Sequence, residues 1–214
     1  MNILQEISEA LQVGKAKVVA ELVRKALDEG QKPEEILDKG LLAGMDVVGR
    51  KFKNNEVYVP EVLVAARAMN NGAAILKPVL AESGVKPIGK VALGTVKGDL
   101  HDIGKNLVRM MLEGKGIEVV DLGVDVPAEK FYEAYVNDGI DVIACSALLT
   151  TTMNEMKTIV DLFVKNGTRD KVTIMVGGAP ITESFCKSIG ADCYSTDAAS
   201  AADMAKEILL KKAV

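Results

Sequence analysis

Apolar positions in the first part of the chain, to about Leu80, recur with the period of an α-helix. Ile3, Leu4, Ile7 and Leu11 share one face before Gly14 ends the segment, and Val18, Val19, Leu22, Val23 and Leu27 form a second stripe closed by Gly30. Pro33 suits a first helical position and Glu34 and Glu35 suit the positive end of a helix dipole; the segment they open carries Ile36, Leu37, Leu41, Met45, Val48 and Phe52. After a break at Lys53-Asn54-Asn55, Pro60-Glu61 opens a fourth segment with Val62, Leu63, Ala66, Met69, Ala73, Leu76 and Leu80. Short connections favour antiparallel neighbours, so residues 1–82 are expected to form a four-helix bundle. The stretch 83–89 is polar, broken by Gly and Pro, and reads as a linker.

From residue 90 the period changes. Short apolar runs at Val91–Val96, Ile117–Leu122, Val142–Cys145 and Val172–Val176, with a weaker one at Asp192-Cys193-Tyr194, alternate with segments of helical length. Pro127 and the Ala-rich stretch Ala198–Leu210 fit helix starts and bodies. The alternation predicts βαβ units over 90–214, hence an α/β domain with a parallel sheet of about five strands covered by helices on both faces.

In such a sheet the loops at the carboxyl ends of the strands gather along one edge and form the ligand site. Three of these loops stand out. The first, Gly98-Asp99-Leu100-His101-Asp102-Ile103-Gly104-Lys105-Asn106, holds the single histidine of the chain. The third, Cys145 to Thr152, is dense in hydroxyls, and the fourth is Gly177-Gly178-Ala179-Pro180, where absent side chains let a ligand lie against the backbone. Small, hydroxylic and glycine-rich loops around one imidazole suit a large, mostly apolar ligand with a few polar groups.

Composition narrows the classes. With 49% hydrophobic and 26% charged residues over 214 positions, the chain is ordinary for a globular protein, while 4% aromatics and no Trp imply aliphatic cores. A net charge of -4 disfavours a nucleic-acid binder, which would carry a basic face. The three cysteines, Cys145, Cys186 and Cys193, are odd in number and lack Cys-x-x-Cys spacing, so neither a disulfide framework nor a zinc site is indicated. The N-terminus lacks a basic segment followed by an apolar core. No apolar run approaches the ~20 residues of a membrane span. A cytoplasmic protein that engages no membrane is expected.

Taken singly, each candidate has an ordinary structural reading. A loop histidine commonly caps a turn or helix, Asp102 reads first as a helix-start carboxylate, and Gly177-Gly178 alone is a strand-to-helix turn. Together, Asp99-x-His101-x-x-Gly104, Ser146-x-Leu148 and Gly177-Gly178 resemble the three-part fingerprint of the cobalamin-binding domain of cobalamin-dependent methionine synthase and related methyltransferases. The preceding helical segment is similar to the cap that shields the methyl group in that family. The resemblance covers nearly the whole chain. It implies a four-helix bundle cap followed by a Rossmann-like (flavodoxin-like), five-stranded α/β cobalamin-binding domain.

The resemblance also implies roles. The cofactor would be cobalamin or a related corrinoid, methylcobalamin in the loaded state, with its own base displaced from cobalt and its tail in a slot beside the sheet. His101 would be the lower axial cobalt ligand, Asp99 its hydrogen-bonded partner, and Thr152 the hydroxyl completing a proton relay, where methionine synthase has a serine. Asp102, Ile103 and Gly104 belong to the segment placed against the cofactor. Ser146 and Thr150 would hydrogen-bond the buried base or tail, Leu148 would line the slot, and Gly177 and Gly178 would lie along the tail. Tyr194 to Ala198 would contact the base, and residues near Tyr58 to Leu63 and Met69 are candidate cap contacts. The bundle and sheet leave no barrel for a methyl donor or acceptor. The expected function is a methyl carrier, non-catalytic by itself, that serves a substrate methyltransferase, an acceptor methyltransferase using tetrahydrofolate or a thiol, and a reductive activator. A cobalamin-dependent sensor and an adenosylcobalamin-binding mutase subunit are the alternatives. Methylamine, methanol, betaine and aromatic methyl ether donors all remain open.

Overall fold

The computed structural model describes residues 2–82 and 87–212. The chain divides into two units, Met1–Pro87 with Gly114–Gly116, and Ile88–Glu113 with Ile117–Val214. Within the expected linker at 83–89, residues 83–86 lie outside the described residues.

The first unit is helical. Helix α1 (Ile3–Gln12) starts at Asn2, whose side-chain oxygen accepts from the Leu4 amide at 3.1 Å, and buries Ile3, Leu4, Ile7 and Leu11 as their spacing predicts. Gly14, at φ 69°, turns the chain so that the Lys15 amide reaches the Ala10 carbonyl at 3.0 Å. In α2 (Ala16–Asp28) the buried stripe is Val19, Val23 and Ala26. Val18 is exposed and Leu22 and Leu27 are half-buried, so the apolar stripe expected there is wider than the face that packs.

The third expected helix is built from three consecutive pieces: α3 (Pro33–Glu35), a π-helical stretch Ile36–Leu42, and α4 (Ala43–Lys53). Gly40 and Gly44 bring this rod close to α1, since a Cβ on either would lie 3.1 Å from Ile7 or Leu11 side-chain carbons. In α5 (Val59–Glu82) the Tyr58 amide donates to the Glu61 carboxylate at 3.0 Å, half of a capping box, and Val62, Ala65, Ala66, Ala68, Met69 and Leu76 are buried.

The second unit carries five parallel strands, β1 (Lys90–Val96), β2 (Glu118–Val126), β3 (Val142–Ser146), β4 (Thr173–Gly177) and β5 (Cys193–Tyr194), in the order β2-β1-β3-β4-β5. Helices α6 (Ile103–Glu113), α7 (Ala128–Asp138), α8 (Asn154–Lys165), α9 (Glu183–Ile189) and α10 (Ala198–Lys212) connect and flank them. Alternation along the strands sends Ala92, Val96, Ile143, Cys145, Ile174 and Val176 into one core with Phe131, Met156, Ile159 and Phe163. Val91, Leu93, Val142, Ala144 and Met175 are buried on the opposite face, where α6 and α10 pack. Both faces are covered, which is why the strands read as continuous apolar runs.

Strand β2 runs four residues past its expected end at Leu122. Its last part is irregular. Leu93 to Val96 is three steps on β1, but their partners Asp121 and Val126 are five steps apart, and Gly123 and Asp125 take positive φ values of 89° and 54°. Bulged, non-alternating backbone of this kind carries no period-two signal.

The strand order places the site. From β1 the chain moves to β2 on one side and then to β3 on the other, so the loops after β1 and β3 leave the sheet in opposite directions and open a crevice between them.

Gly94 shows how tightly the sheet is covered. A Cβ there would stand 2.8 Å from Phe131 Cζ. Gly94→Ala should cost about 1–3 kcal/mol in denaturant unfolding, as overpacking does. Combined with Phe131→Leu, the total should be smaller than the sum of the two single losses, because the shorter side chain vacates the contested space. Strict additivity would contradict this packing.

Candidate functional site

The crevice is tied together by one carboxylate. Asp99 sits in the β1–α6 loop, reached through a turn in which Gly98 adopts φ 80° and the Asp99 amide returns to the Val96 carbonyl at 3.1 Å. Its side chain is fully buried. Oδ1 accepts from the His101 amide at 3.1 Å and from the His101 ring Nδ1 at 2.7 Å. Oδ2 accepts from the Leu148 amide at 2.7 Å, the Leu149 amide at 3.2 Å and the Thr152 hydroxyl at 2.9 Å. The Thr152 hydroxyl also lies 3.0 Å from the Leu149 carbonyl, but the carboxylate is the stronger acceptor for its single proton. One side chain of the β1 loop thus holds three groups of the β3 loop.

Burial by itself pushes the Asp99 carboxyl up, but the Leu148 amide, the His101 ring and amide and the Thr152 hydroxyl outweigh it and hold the group far below the usual carboxylate range. Asp99 is therefore ionised near neutrality and can only accept. The proton bridging to the His101 ring belongs to Nδ1, and Nε2 keeps its lone pair when the ring is neutral. The ring is 51% exposed. The buried Thr95 hydroxyl donates to the His101 carbonyl at 2.9 Å, which fixes the backbone behind the ring.

Around the imidazole the loops expose large apolar side chains. Leu100 and Ile103 are 71% and 77% exposed, and Leu148 and Leu149 follow at 44% and 40%. Gly178 takes φ 128°, and a Cβ on it would collide with the Ala147 carbonyl; Gly177 accepts from the Ala147 amide at 3.2 Å. The β4 loop therefore runs directly against the β3 loop. No neighbour lies within 4 Å of a Cβ placed on Gly104.

Of the residues singled out in the sequence, Asp99, His101, Leu148 and Thr152 form one hydrogen-bonded cluster, and Ser146 pairs with Gly177 in the β3–β4 register. Asp102 is engaged at the start of α6, its carbonyl accepting from the Asn106 amide at 2.7 Å and its carboxylate from the Asn106 side chain at 3.0 Å. Thr150 is exposed, Tyr194 half-buried and Ala198 buried, and Met69 is buried while Tyr58 and Leu63 are exposed. Thr95, the Leu149 amide and Asp125, whose amide donates to the Asp99 carbonyl at 2.9 Å, were not visible as site residues beforehand. Asp125 lies past the end expected for its strand, in the stretch where alternation breaks.

Among the described residues no group of three His, Cys, Asp or Glu side chains could hold a metal ion. A lone imidazole with its second nitrogen anchored can supply one position to a metal whose other positions are filled from elsewhere. With an apolar collar and loops too close for side chains, the donor set fits a large macrocyclic metal cofactor. No helix among the described residues is long and apolar enough to cross a membrane.

Known proteins match this architecture. Residues 89–203 match a family model described as the B12 binding domain, and residues 3–77 match a second model of the same description. The chain is 45% identical over 210 residues to the dimethylamine corrinoid protein of Methanosarcina barkeri, covering 97% of this chain and 98% of that one. It is 40% identical over 214 residues to a corrinoid protein of Desulfitobacterium hafniense, covering 99% of each. Among solved structures, the methanol:cobalamin methyltransferase complex MtaBC from Methanosarcina barkeri matches with TM-score 0.87 at 33% identity, over 97% of this chain and 79% of that one. A cobalamin-binding protein from Desulfitobacterium hafniense DCB-2 matches with TM-score 0.79 at 29% identity, over 96% and 98%. With both of its units matched and relatives aligned along almost its full length, this chain belongs to the B12-binding corrinoid proteins.

Proposed function

We propose that the chain is a cytoplasmic methyl carrier in which His101 is the protein ligand to the cobalt of a bound corrinoid. The observation that carries this reading is the anchored imidazole: Nδ1 bonded to a buried, ionised Asp99 at 2.7 Å, with Nε2 left as the donor atom. The corrinoid supplies the nucleophilic metal centre that takes a methyl group from a substrate methyltransferase and yields it to an acceptor methyltransferase, and a reductive activator restores the centre when it is oxidised. The protein's own residues do the rest. Asp99 fixes the tautomer and orientation of the ring, and Thr152 supplies a hydroxyl through which a proton can reach or leave the pair as the imidazole binds or lets go. Leu100, Ile103, Leu148 and Leu149 exclude water around the ligand nitrogen, and Gly177 and Gly178 of the β4 loop are assigned to the strip along which the cofactor tail lies. Ser146, Thr150 and Tyr194 are the polar groups assigned to that tail.

Relatives named for dimethylamine at 45% identity and for trimethylamine at 40% make methylated amines the first donor class to test. The likeness to the methanol:cobalamin methyltransferase complex supports a separate partner that binds the substrate. The same names favour the carrier over the sensor and mutase readings.

Reconstitution with hydroxocobalamin checks the assignment: the wild-type protein should bind stoichiometrically with an imidazole-ligated absorption spectrum, and His101→Ala should lose that spectrum. Binding with an unchanged spectrum in His101→Ala would refute the ligand role. Thr152→Val leaves the buried carboxylate short of one donor and should cost about 1.5–3 kcal/mol of stability in the cofactor-free protein, whereas Thr152→Ser should cost clearly less. Equal losses would show that the hydroxyl is not what matters.

The carboxyl of Asp99 is held below its unfolded value, so the stability it contributes is complete above the ordinary carboxylate range near about pH 4 and drains away as pH falls from there toward the folded value. Acid unfolding of the cofactor-free protein should therefore be shallower below about pH 4 in Asp99→Asn than in the wild type. An identical acid limb in the two proteins would contradict the depressed carboxyl.

A further inference from the structure

We infer that Asp125, on the bulged end of β2, is a positioning residue that sets the orientation of His101 by clamping the turn from which Asp99 projects. This rests on the reading of His101 as the cobalt ligand, and adds a residue outside the loops that carry that site.

The clamp has two points. The Asp125 carboxylate accepts from the Gly98 amide at 2.7 Å, and the Asp125 amide donates to the Asp99 carbonyl at 2.9 Å. Residues 98 and 99 are thereby gripped from the neighbouring strand on both sides of the peptide that joins them. Asp99 in turn bonds both the amide and the ring of His101, so the chain of control from Asp125 to the imidazole has one intermediate residue.

The backbone has been shaped to make this grip. A regular β2 would pair residue for residue with β1, yet five steps from Asp121 to Val126 answer three from Leu93 to Val96. Bulges re-aim side chains, and here they turn Asp125 toward the β1–α6 loop. The cost is visible at Asp125 itself, a non-glycine residue at φ 54° in the left-handed region, while the neighbouring left-handed position is occupied by Gly123 at φ 89°. A glycine at 125 would satisfy the backbone equally well and would keep the amide bond to Asp99. What it would lose is the carboxylate, and that is the part that holds Gly98. Strained backbone of this sort concentrates where a fixed geometry is needed.

A second brace works on the other end of the same loop. Lys105, almost fully buried in the first turn of α6, donates to Asp121 at 2.6 Å, and Asp121 also accepts from the Gly123 amide at 3.0 Å. The bulged half of β2 therefore holds the histidine loop at its entry through Asp125 and at its exit through Asp121.

The test uses the full chain and exploits its single histidine. With nitrogen-15 in histidine, the ring signals of His101 need no assignment, and in the cofactor-free wild type at a pH where the ring is neutral they should report one tautomer, with Nε2 unprotonated. Asp125→Gly keeps the left-handed backbone and the amide bond to Asp99, and removes only the carboxylate point of the clamp. It should shift those signals toward a tautomer average and speed amide exchange at Gly98 by about fivefold or more, the loss of one net hydrogen bond. Asp125→Asn keeps an acceptor at the same place and should restore the wild-type signals, whereas Asp125→Ala, like Asp125→Gly, should not. Loaded with hydroxocobalamin, Asp125→Gly should show a smaller imidazole-ligated fraction than Asp125→Asn. Wild-type ring signals and Gly98 exchange in Asp125→Gly would overturn the inference while leaving His101 as ligand. A wild-type protein that fails to bind hydroxocobalamin would overturn the carrier reading, and the cofactor-free signals would still decide whether Asp125 orients the ring.

Discussion

The site depends on one buried carboxylate being fully paired. An ionised Asp99 removed from water would be costly if any of its lone pairs were idle, and it persists because five donors converge on it, from its own loop and from the loop after β3. The same arrangement makes the carboxylate an acceptor only, which decides where the imidazole proton resides. Stability and ligand chemistry are therefore set by the same atoms. A substitution that removes a donor is expected to disturb both, and the Thr152 hydroxyl is the side-chain donor from the far loop that can be altered without changing a backbone amide.

That convergence is possible because of the strand order. Loops following β1 and β3 emerge side by side at the point where the chain reverses its direction of travel across the sheet. Asp99 spans this gap. The glycines of the β4 loop then let a third loop approach, since Gly178 tolerates a backbone conformation and a proximity to Ala147 that a side chain would forbid. Around this polar knot the exposed Leu100, Ile103, Leu148 and Leu149 form an apolar surface. Polar interior and apolar rim together suit a ligand that offers one metal coordination position and a large hydrophobic outline.

Much of this was legible in the residues. The change from helical period to short apolar runs marks the passage to the sheet unit, and the three motif loops fall after β1, β3 and β4. The pairing of Asp99 with His101, expected from the family resemblance, is present at 2.7 Å. Less could be seen where backbone geometry, not side-chain pattern, does the work. The second half of β2 breaks alternation, so neither its length nor the role of Asp125 was apparent, and Thr95 looked like one more residue of a buried strand. In the helical unit, the periodicity of α2 pointed to Val18 as well as Val19, but the face that packs runs through Val19, Val23 and Ala26, and Val18, roughly 100° round the helix from Val19, falls outside it. The π-helical stretch Ile36–Leu42 left no trace in the spacing, because Gly40, which brings it close to α1, is silent in an apolar count.

The central claim is that the nitrogen on the metal comes from the protein, and isotopic substitution at the single histidine tests it most directly. Electron paramagnetic resonance of the protein loaded with cobalt(II) cobalamin resolves the nuclear spin of the axial nitrogen. With nitrogen-15 placed only in histidine, the account predicts that each triplet splitting collapses to a doublet. Triplets that persist in the labelled protein would show that the cofactor's own base remains on the metal and would contradict the account.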